Sequence, residues 1–210
     1  MAQLFLVHPT HPQQRLIERA AEIARRSGLI VYPTDSCYAL GCRVGDREAV
    51  ERMRSIRHVG REHPFTLVCR DLSEIARYAR VDNRAYRLLK AATPGSFTFV
   101  LRATREVPRR LQDPRRKTIG LRVPDHRVAQ ALLAELGEPL LSTTLILPGD
   151  ALPLNEPAEI RARLEHRVDL IIDAGSCGID ATTVVDLTGE APELLRMGKG
   201  DPSVFGLASA

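Results

Sequence analysis

The 210-residue chain is long enough for one domain with a sizeable core, and its 44% hydrophobic content excludes a disordered protein. With 4% aromatic residues and no tryptophan, that core must be aliphatic. The net charge of +4 is basic without being extreme, and no apolar run is long enough for a signal peptide or a membrane span, so we expect a cytoplasmic protein without membrane partners. The cysteines lack C-x-x-C spacing and are expected to be free thiols: Cys37, Cys42, Cys69 and Cys177.

The first predicted unit is a helix followed by a strand. Thr10 and Gln13 have the spacing of a capping box, apolar residues follow with a helical period, and Gly28 supplies the stop. The apolar run 29–32 is typical of a short buried strand, which Pro33 ends.

Helices and strands continue to alternate along the chain. Asp46 is expected to cap a helix to about Arg57, Asp71 to begin a long helical stretch that ends at 93–95, and Asp125 to cap a helix that Gly137 closes. The remaining strands are predicted at 65–69, 97–101, 118–123, 140–146, 168–172, 183–187 and 194–196. This order predicts an α/β protein, a single domain over 1–210 with a twisted mixed sheet and flanking helices.

Positive charge concentrates between residues 102 and 127. The segment holds nine Lys or Arg residues against three Asp or Glu, a local net charge of +6. Such an asymmetry favours an anionic partner, although a solvated basic loop between two strands has the same composition. The candidate nucleic-acid-binding residues within it are Arg109, Arg110, Arg115, Arg116 and Lys117.

Several common catalytic signatures are absent from the sequence. It contains no P-loop, no dinucleotide-binding fingerprint, no H-E-x-x-H and no nucleophile elbow. The histidines have no cysteine or carboxylate partners at metal-ligand spacing, so no metal site is predicted. Any nucleotide must therefore be held without a P-loop.

Small polar residues and arginines lie where predicted strands end or alternate. Thr34 follows the first strand, Thr118 and Arg122 share one face of another, and Ser142 and Thr144 share a face of a third. A buried arginine needs an anionic partner, which is either a ligand or a structural carboxylate. Ordinary turns and core strands contain similar residues, so this pattern alone leaves the function open.

Six segments, taken in order, resemble the motifs of the YrdC-like family, the threonylcarbamoyl-AMP synthases. Residues 32–41, YPTDSCYALG, are similar to the opening motif YPT(E/D)T-x-Y-G-L-G. The other matches are 93–98 (TPGSFT), 122–124 (RVP), Ser142, 182–186 (TTVVD) and Arg196. The similarity covers about residues 10–200, and LVCRDL at 67–72 together with KTIG at 117–120 resembles the YciO branch.

The resemblance implies a YrdC/RibB-like fold with a basic concave face and a reaction of ATP, threonine and bicarbonate. The family's amino-acid ligands correspond to Thr34, Arg122 and Thr182. Its nucleotide ligands correspond to Arg57, Thr118, Ser142, Thr144 and Arg196. No catalytic residue is assigned, and Mg²⁺ is expected to arrive with ATP and not to occupy a protein site.

Two departures from the family pattern bear on activity. The family's Lys-x-Arg reads Ser55-Ile56-Arg57 here, and its Ser-x-Asn ends in Thr144. The first change removes a cation near the phosphates, which Arg54 could partly replace, and the second removes an amide. We therefore expect an ATP-binding protein with weak synthase activity linked to tRNA modification. The alternative is a non-catalytic protein that binds double-stranded RNA, such as tRNA or rRNA, in the same basic cleft.

Overall fold

The computed structural model describes residues 1–208, which fold around a ten-stranded mixed sheet. The strands are β1 (Gln3–Leu6), β2 (Ile30–Tyr32), β3 (Ala39–Arg43), β4 (Thr66–Val68), β5 (Phe97–Arg102), β6 (Thr118–Arg122), β7 (Leu140–Thr144), β8 (Leu170–Asp173), β9 (Thr183–Asp186) and β10 (Glu193–Arg196). The helices are α1 (Gln14–Arg25), α2 (Arg47–Arg57), α3 (Leu72–Tyr78), α4 (Asn83–Ala92), α5 (Arg127–Leu136) and α6 (Pro157–Leu164). Two short 3-10 helices lie at Arg109–Leu111 and Pro202–Phe205.

The strand order is β1-β8-β2-β3-β7-β4-β6-β5-β9-β10. The pairs β1–β8, β8–β2, β4–β6 and β5–β9 are parallel, and the others are antiparallel. The α/β class, the mixed sheet and the single domain are therefore as the sequence predicts. No helix within residues 1–208 is long and apolar enough to cross a membrane.

The two faces of the sheet are covered unequally. One face carries the larger apolar core, to which α2, α3, α4 and α6 contribute. The other packs against α1 and α5 at β2, β3, β4, β7 and β8, through residues such as Leu140 and Leu170. Ser142 and Thr144 alternate onto the same face as Leu140 but lie beyond the two helices, where they line a cleft. The cleft is thus the part of this face that α1 and α5 leave uncovered.

Aspartate caps begin three of the helices. The Asp46 carboxylate accepts the Ala49 N–H at 3.0 Å, and Asp71 and Asp82 make the equivalent bonds at α3 and α4. Gly137 ends α5 with φ of 71°, a conformation that glycine adopts without a steric penalty.

Three predicted helix boundaries are wrong. Thr10 does not cap α1, whose N-cap is Gln13, and the Gln13 side chain instead accepts the His8 N–H at 3.0 Å. Asp125 does not cap α5, which begins after His126 without a side-chain cap. The long helix after Asp71 is two helices, because Ala79 leaves the helix to bridge Ala103 and Asp82 starts a new one.

Three elements were not predicted. These are β1, β3 and α6. The β3 sequence, ALGCR, has little strand signal of its own and forms because it pairs with β2 and β7 on either side. The predicted loop up to Pro157 ends where Pro157 takes the first turn of α6, a position at which its missing N–H costs nothing.

Candidate functional site

A cleft of about 790 Å³ opens on the uncovered part of the sheet. Its floor is formed by β4, β5, β6, β7 and β9, and its walls by the ends of these strands and the loops beside them. It is lined by every residue predicted to bind threonine or a nucleotide: Thr34, Arg57, Thr118, Arg122, Ser142, Thr144, Thr182 and Arg196.

The register of the sheet brings the floor residues together. Thr66 in β4 pairs with Ser142 on one side and with Gly120 on the other, so the side chains of Thr66 and Ser142 lie in one row with the bare backbone of Gly120. A Cβ atom at Gly120 would come within 3.2 Å of the side chains of Thr66 and Thr98. Glycine therefore lets these two side chains pack over the backbone at the centre of the floor.

The turn after β2 is held by Thr34. Its hydroxyl donates to the Cys37 carbonyl at 2.6 Å and accepts the N–H groups of Ser36 and Cys37 at 3.2 and 3.3 Å. Thr34, a predicted threonine ligand, therefore stabilises the turn formed by residues 34–37. Across the cleft the hydroxyls of Thr182 and Thr98 are 2.8 Å apart.

Arg196 lies against the same end of the cleft. Its guanidinium donates to the Thr182 carbonyl at 2.8 Å and to the Thr182 hydroxyl at 3.2 Å. Burial lowers its pKa, an effect that Arg122 reinforces. Arg196, a predicted nucleotide ligand, is thus hydrogen-bonded to Thr182, a predicted threonine ligand.

Arg122 is paired with a carboxylate of the protein. Its Nη2 donates to Asp35 Oδ1 at 2.5 Å and its Nη1 to Ser36 Oγ at 3.1 Å, with both ionic side chains only 9% exposed. Ser96 donates a further bond of 2.6 Å to Asp35. The sequence left open whether the anionic partner of Arg122 is a ligand or a carboxylate of the protein, and in the structure it is the Asp35 carboxylate. Within residues 1–208, Arg122 Nε is buried without a hydrogen-bond partner.

One wall of the cleft is basic. Arg54 and Arg57, one helical turn apart at the end of α2, both line it, and Arg54 also lies 5.0 Å from the centre of the Phe65 ring. Arg54 donates to the Gly60 carbonyl at 2.6 Å and Arg57 to a loop carbonyl. The Nε atoms of both are buried without hydrogen-bond partners within residues 1–208, and that of Arg54 lies 3.6 Å from the Glu51 carboxylate. Ser55, which stands at the family's lysine position, is exposed and outside the cleft lining. The cation next to Arg57 in this cleft is therefore Arg54.

Part of the cleft rim is apolar, which the sequence did not indicate. Four of its residues are large hydrophobic side chains between 38% and 56% exposed: Leu152, Ile179, Leu195 and Met197. They come from three separate parts of the chain, so no local pattern connects them. A rim of this kind suits a flat apolar group such as a nucleobase.

The weak acids in the floor are neutral at physiological pH. Burial raises the pKa of Tyr32 to about 12, and its hydroxyl donates to Ser142 at 2.8 Å, which in turn donates to the Leu40 carbonyl. Burial also raises the pKa of the Cys37 thiol. The floor therefore offers neutral hydroxyls beside the cations of the wall, a combination that binds and stabilises anions. The carboxylates in the cleft lining are Glu62, Asp113 and Asp180.

The five predicted nucleic-acid-binding residues are all exposed on the connection between β5 and β6. Only Arg110 and Arg116 line the cleft, and Arg116 is held by Asp186 at 2.5 Å. Within residues 1–208, neither Arg109 nor Arg115 forms an ion pair. The same described part of the chain holds no group of three or more His, Cys, Asp or Glu residues placed to bind a metal.

Comparisons with known proteins agree on one family. The family model for Sua5, YciO and YrdC proteins, described as "Telomere recombination", matches residues 22–198. The uncharacterized protein YciO of Escherichia coli strain K12 is 56% identical over 205 residues, which are 98% of this chain and 100% of that protein. The crystal structure of E. coli YciO matches with a TM-score of 0.94 over 98% of this chain and 100% of that one.

More distant relatives carry functional names. A threonylcarbamoyl-AMP synthase of Chromobacterium violaceum is 36% identical over 137 residues, 65% of this chain and 70% of that protein. P. abyssi Sua5 complexed with L-threonine is 26% identical with a TM-score of 0.86, and the match covers 94% of this chain but 58% of that one.

Proposed function

We propose, since the chain belongs to the Sua5/YciO/YrdC family, that its cleft binds ATP and threonine and forms threonylcarbamoyl-AMP slowly. The supporting observation is that the eight predicted ligands, spread from residue 34 to residue 196, line one cleft. In the reaction, ATP, threonine and bicarbonate give threonylcarbamoyl-AMP, pyrophosphate and water.

The basic wall is the proposed phosphate site. The guanidinium groups of Arg54 and Arg57 each donate to one backbone carbonyl, and their other N–H groups can donate to phosphate oxygens, whereas Arg196 lies closer to the threonine end. These cations would stabilise the negative charge that develops as pyrophosphate leaves. Magnesium would enter with the triphosphate and supply further neutralising charge. The apolar rim would then receive the base.

The opposite end of the cleft is the proposed threonine site. Thr34, Thr182 and the Arg122–Asp35 pair surround it, and a P. abyssi relative is known in complex with L-threonine. Because Arg122 is already neutralised by Asp35, we expect this pair to fix the shape of the site and to offer a threonine carboxylate only the N–H groups that Asp35 and Ser36 leave free. Recognition would therefore depend more on neutral hydroxyls than on a free charge.

Pyrophosphate release from ATP, measured with and without threonine and bicarbonate, tests the proposal. We expect slow release that requires both co-substrates and falls by roughly a hundredfold in Arg57→Gln, the typical effect of losing one donor at a developing charge. Release independent of threonine, or unchanged in this variant, would overturn the assignment.

Two further variants examine the family departures. Thr144→Asn restores an amide within the cleft and should raise turnover, because the amide supplies a separate donor and acceptor. Ser55→Lys is the matched control, since its side chain starts outside the cleft and Arg54 already supplies a cation. The sequence pattern alone would make both changes activating, and the structure separates them.

Binding of double-stranded RNA is the second candidate function. The exposed side chains of Arg109 and Arg115, which form no ion pairs within residues 1–208, favour it together with the exposed Lys117 on the same connection. Binding should weaken with salt and drop uniformly across RNA sequences in Arg109→Gln/Arg115→Gln, because duplex RNA is read through its phosphates. Salt-insensitive or unchanged binding would exclude this surface.

The free thiols suit the reducing cytoplasm that we propose as the location.

A further inference from the structure

The end of α2 and the loop that follows it, residues 54–63, add a titratable group to the basic wall. Four basic side chains within ten residues of chain line the cleft there: Arg54, Arg57, Arg61 and His63. The one carboxylate among the lining residues of the same segment is Glu62. The three arginines are always positively charged, whereas the charge of His63 depends on pH near neutrality.

The contacts of His63 fit both of its protonation states. Its Nε2 lies 3.2 Å from the Thr143 hydroxyl on β7, and its ring meets Phe65 edge-on at 5.4 Å. A hydroxyl can donate to a neutral ring nitrogen or accept from a protonated one, so this bond survives protonation. Burial lowers the pKa of His63, and Arg57 and Arg54 on α2 lower it further. The free protein therefore holds this side chain neutral.

A bound polyphosphate reverses these conditions. It places several negative charges between Arg54, Arg57 and His63, and thereby cancels the repulsion that keeps the ring neutral. We propose that His63 binds the polyphosphate of the nucleotide as an additional cation, so that nucleotide binding takes up one proton. The inference deepens the proposed function and rests on it, because it uses the same phosphate site.

The sign of the effect follows from linkage. His63 has a lowered pKa in the free protein and a higher one in the complex, so affinity rises as pH falls from the second value to the first. One proton limits the change to about tenfold per pH unit, and we expect on the order of three- to tenfold between pH 8 and pH 6. The phosphates of ATP titrate in the opposite sense, but that contribution is identical in every protein variant.

Calorimetric titration of the full-length protein with Mg²⁺ and ATP at pH 6, 7 and 8 measures the effect against three variants. In His63→Gln the pH dependence assigned to the protein should disappear, and affinity should match the high-pH wild-type value. In His63→Lys affinity should stay high at all three pH values. His126→Gln is the matched control, since His126 also has a pKa lowered by burial but does not line the cleft, and it should behave as wild type.

Proton NMR titration of the six histidines, with and without ATP, separates the two levels of the proposal. The expected result is one resonance, missing in His63→Gln, whose pKa rises when ATP is added. If ATP shifts other resonances but leaves the His63 pKa unchanged, or if His63→Gln keeps the wild-type pH dependence, the histidine inference is wrong and the nucleotide site stands. If ATP shifts no resonance at any pH, the proposed function fails and this inference fails with it.

Discussion

Removal of the Asp35 carboxylate should destabilise the protein strongly. In Asp35→Ala the Arg122 guanidinium keeps the 3.1 Å bond to Ser36 but loses the one carboxylate that pairs with it within residues 1–208, where its Nε also has no hydrogen-bond partner. Both ionic side chains are 9% exposed, so little water can replace the lost charge. Breaking a buried ion pair from one side typically costs about 3–5 kcal/mol. For a chain of this size that corresponds to a fall in Tm of roughly 6–20 °C.

Thermal and urea unfolding of three variants would measure this cost. Asp125→Ala is the control, because this carboxylate is exposed and forms no ion pair within residues 1–208, and it should change the free energy of unfolding by less than about 0.5 kcal/mol. Asp35→Ala/Arg122→Met should recover most of the loss, since it leaves no uncompensated charge. A loss below about 1 kcal/mol in Asp35→Ala would refute the view that this pair organises the threonine end of the cleft.

Four smaller predictions concern the cleft floor, a core thiol and a helix cap. Tyr32→Phe should cost about 1 kcal/mol in urea unfolding, since Ser142 keeps its bond to a carbonyl. The raised pKa of Tyr32, about 12 against 10.0, means that its contribution to stability is complete below pH 10 and is lost as pH rises from 10 to 12; Tyr32→Phe should reduce that loss. Burial raises the pKa of Cys42 to about 12, so at pH 8 this thiol should react with a disulfide reagent only after unfolding, and rapid reaction in the native protein would contradict its burial. Asp82→Ala should cost about 1 kcal/mol and Asp82→Asn much less, as expected for an N-cap and measurable by chemical denaturation.

Local signals predicted most of the elements. Asp46 begins its helix as expected, Gly137 ends another, and the alternating strand residues Thr118 and Arg122 do share the face that lines the cleft. The predictions from sequence were wrong where contacts between distant segments determine the secondary structure. The break between α3 and α4 depends on Ala79 bridging to another strand, which no helical period can reveal.

The candidate site shows the same division. Family resemblance and alternation predicted eight residues that line the cleft, but not the carboxylate that neutralises Arg122, because Asp35 lies 87 residues away in sequence. Motif alignment put the missing cation at Ser55, although the turn of α2 directs Arg54 into the cleft instead. His63 carried no sequence signal, since only folding places it beside the two arginines.

A crystal structure of the protein with threonine and a non-hydrolysable ATP analogue would test the site most directly. We expect the phosphates against Arg54, Arg57 and His63, the base at the apolar rim, and threonine beside Thr34 and Thr182. A nucleotide bound on another surface, or in this cleft with its phosphates away from the basic wall, would contradict the proposed function.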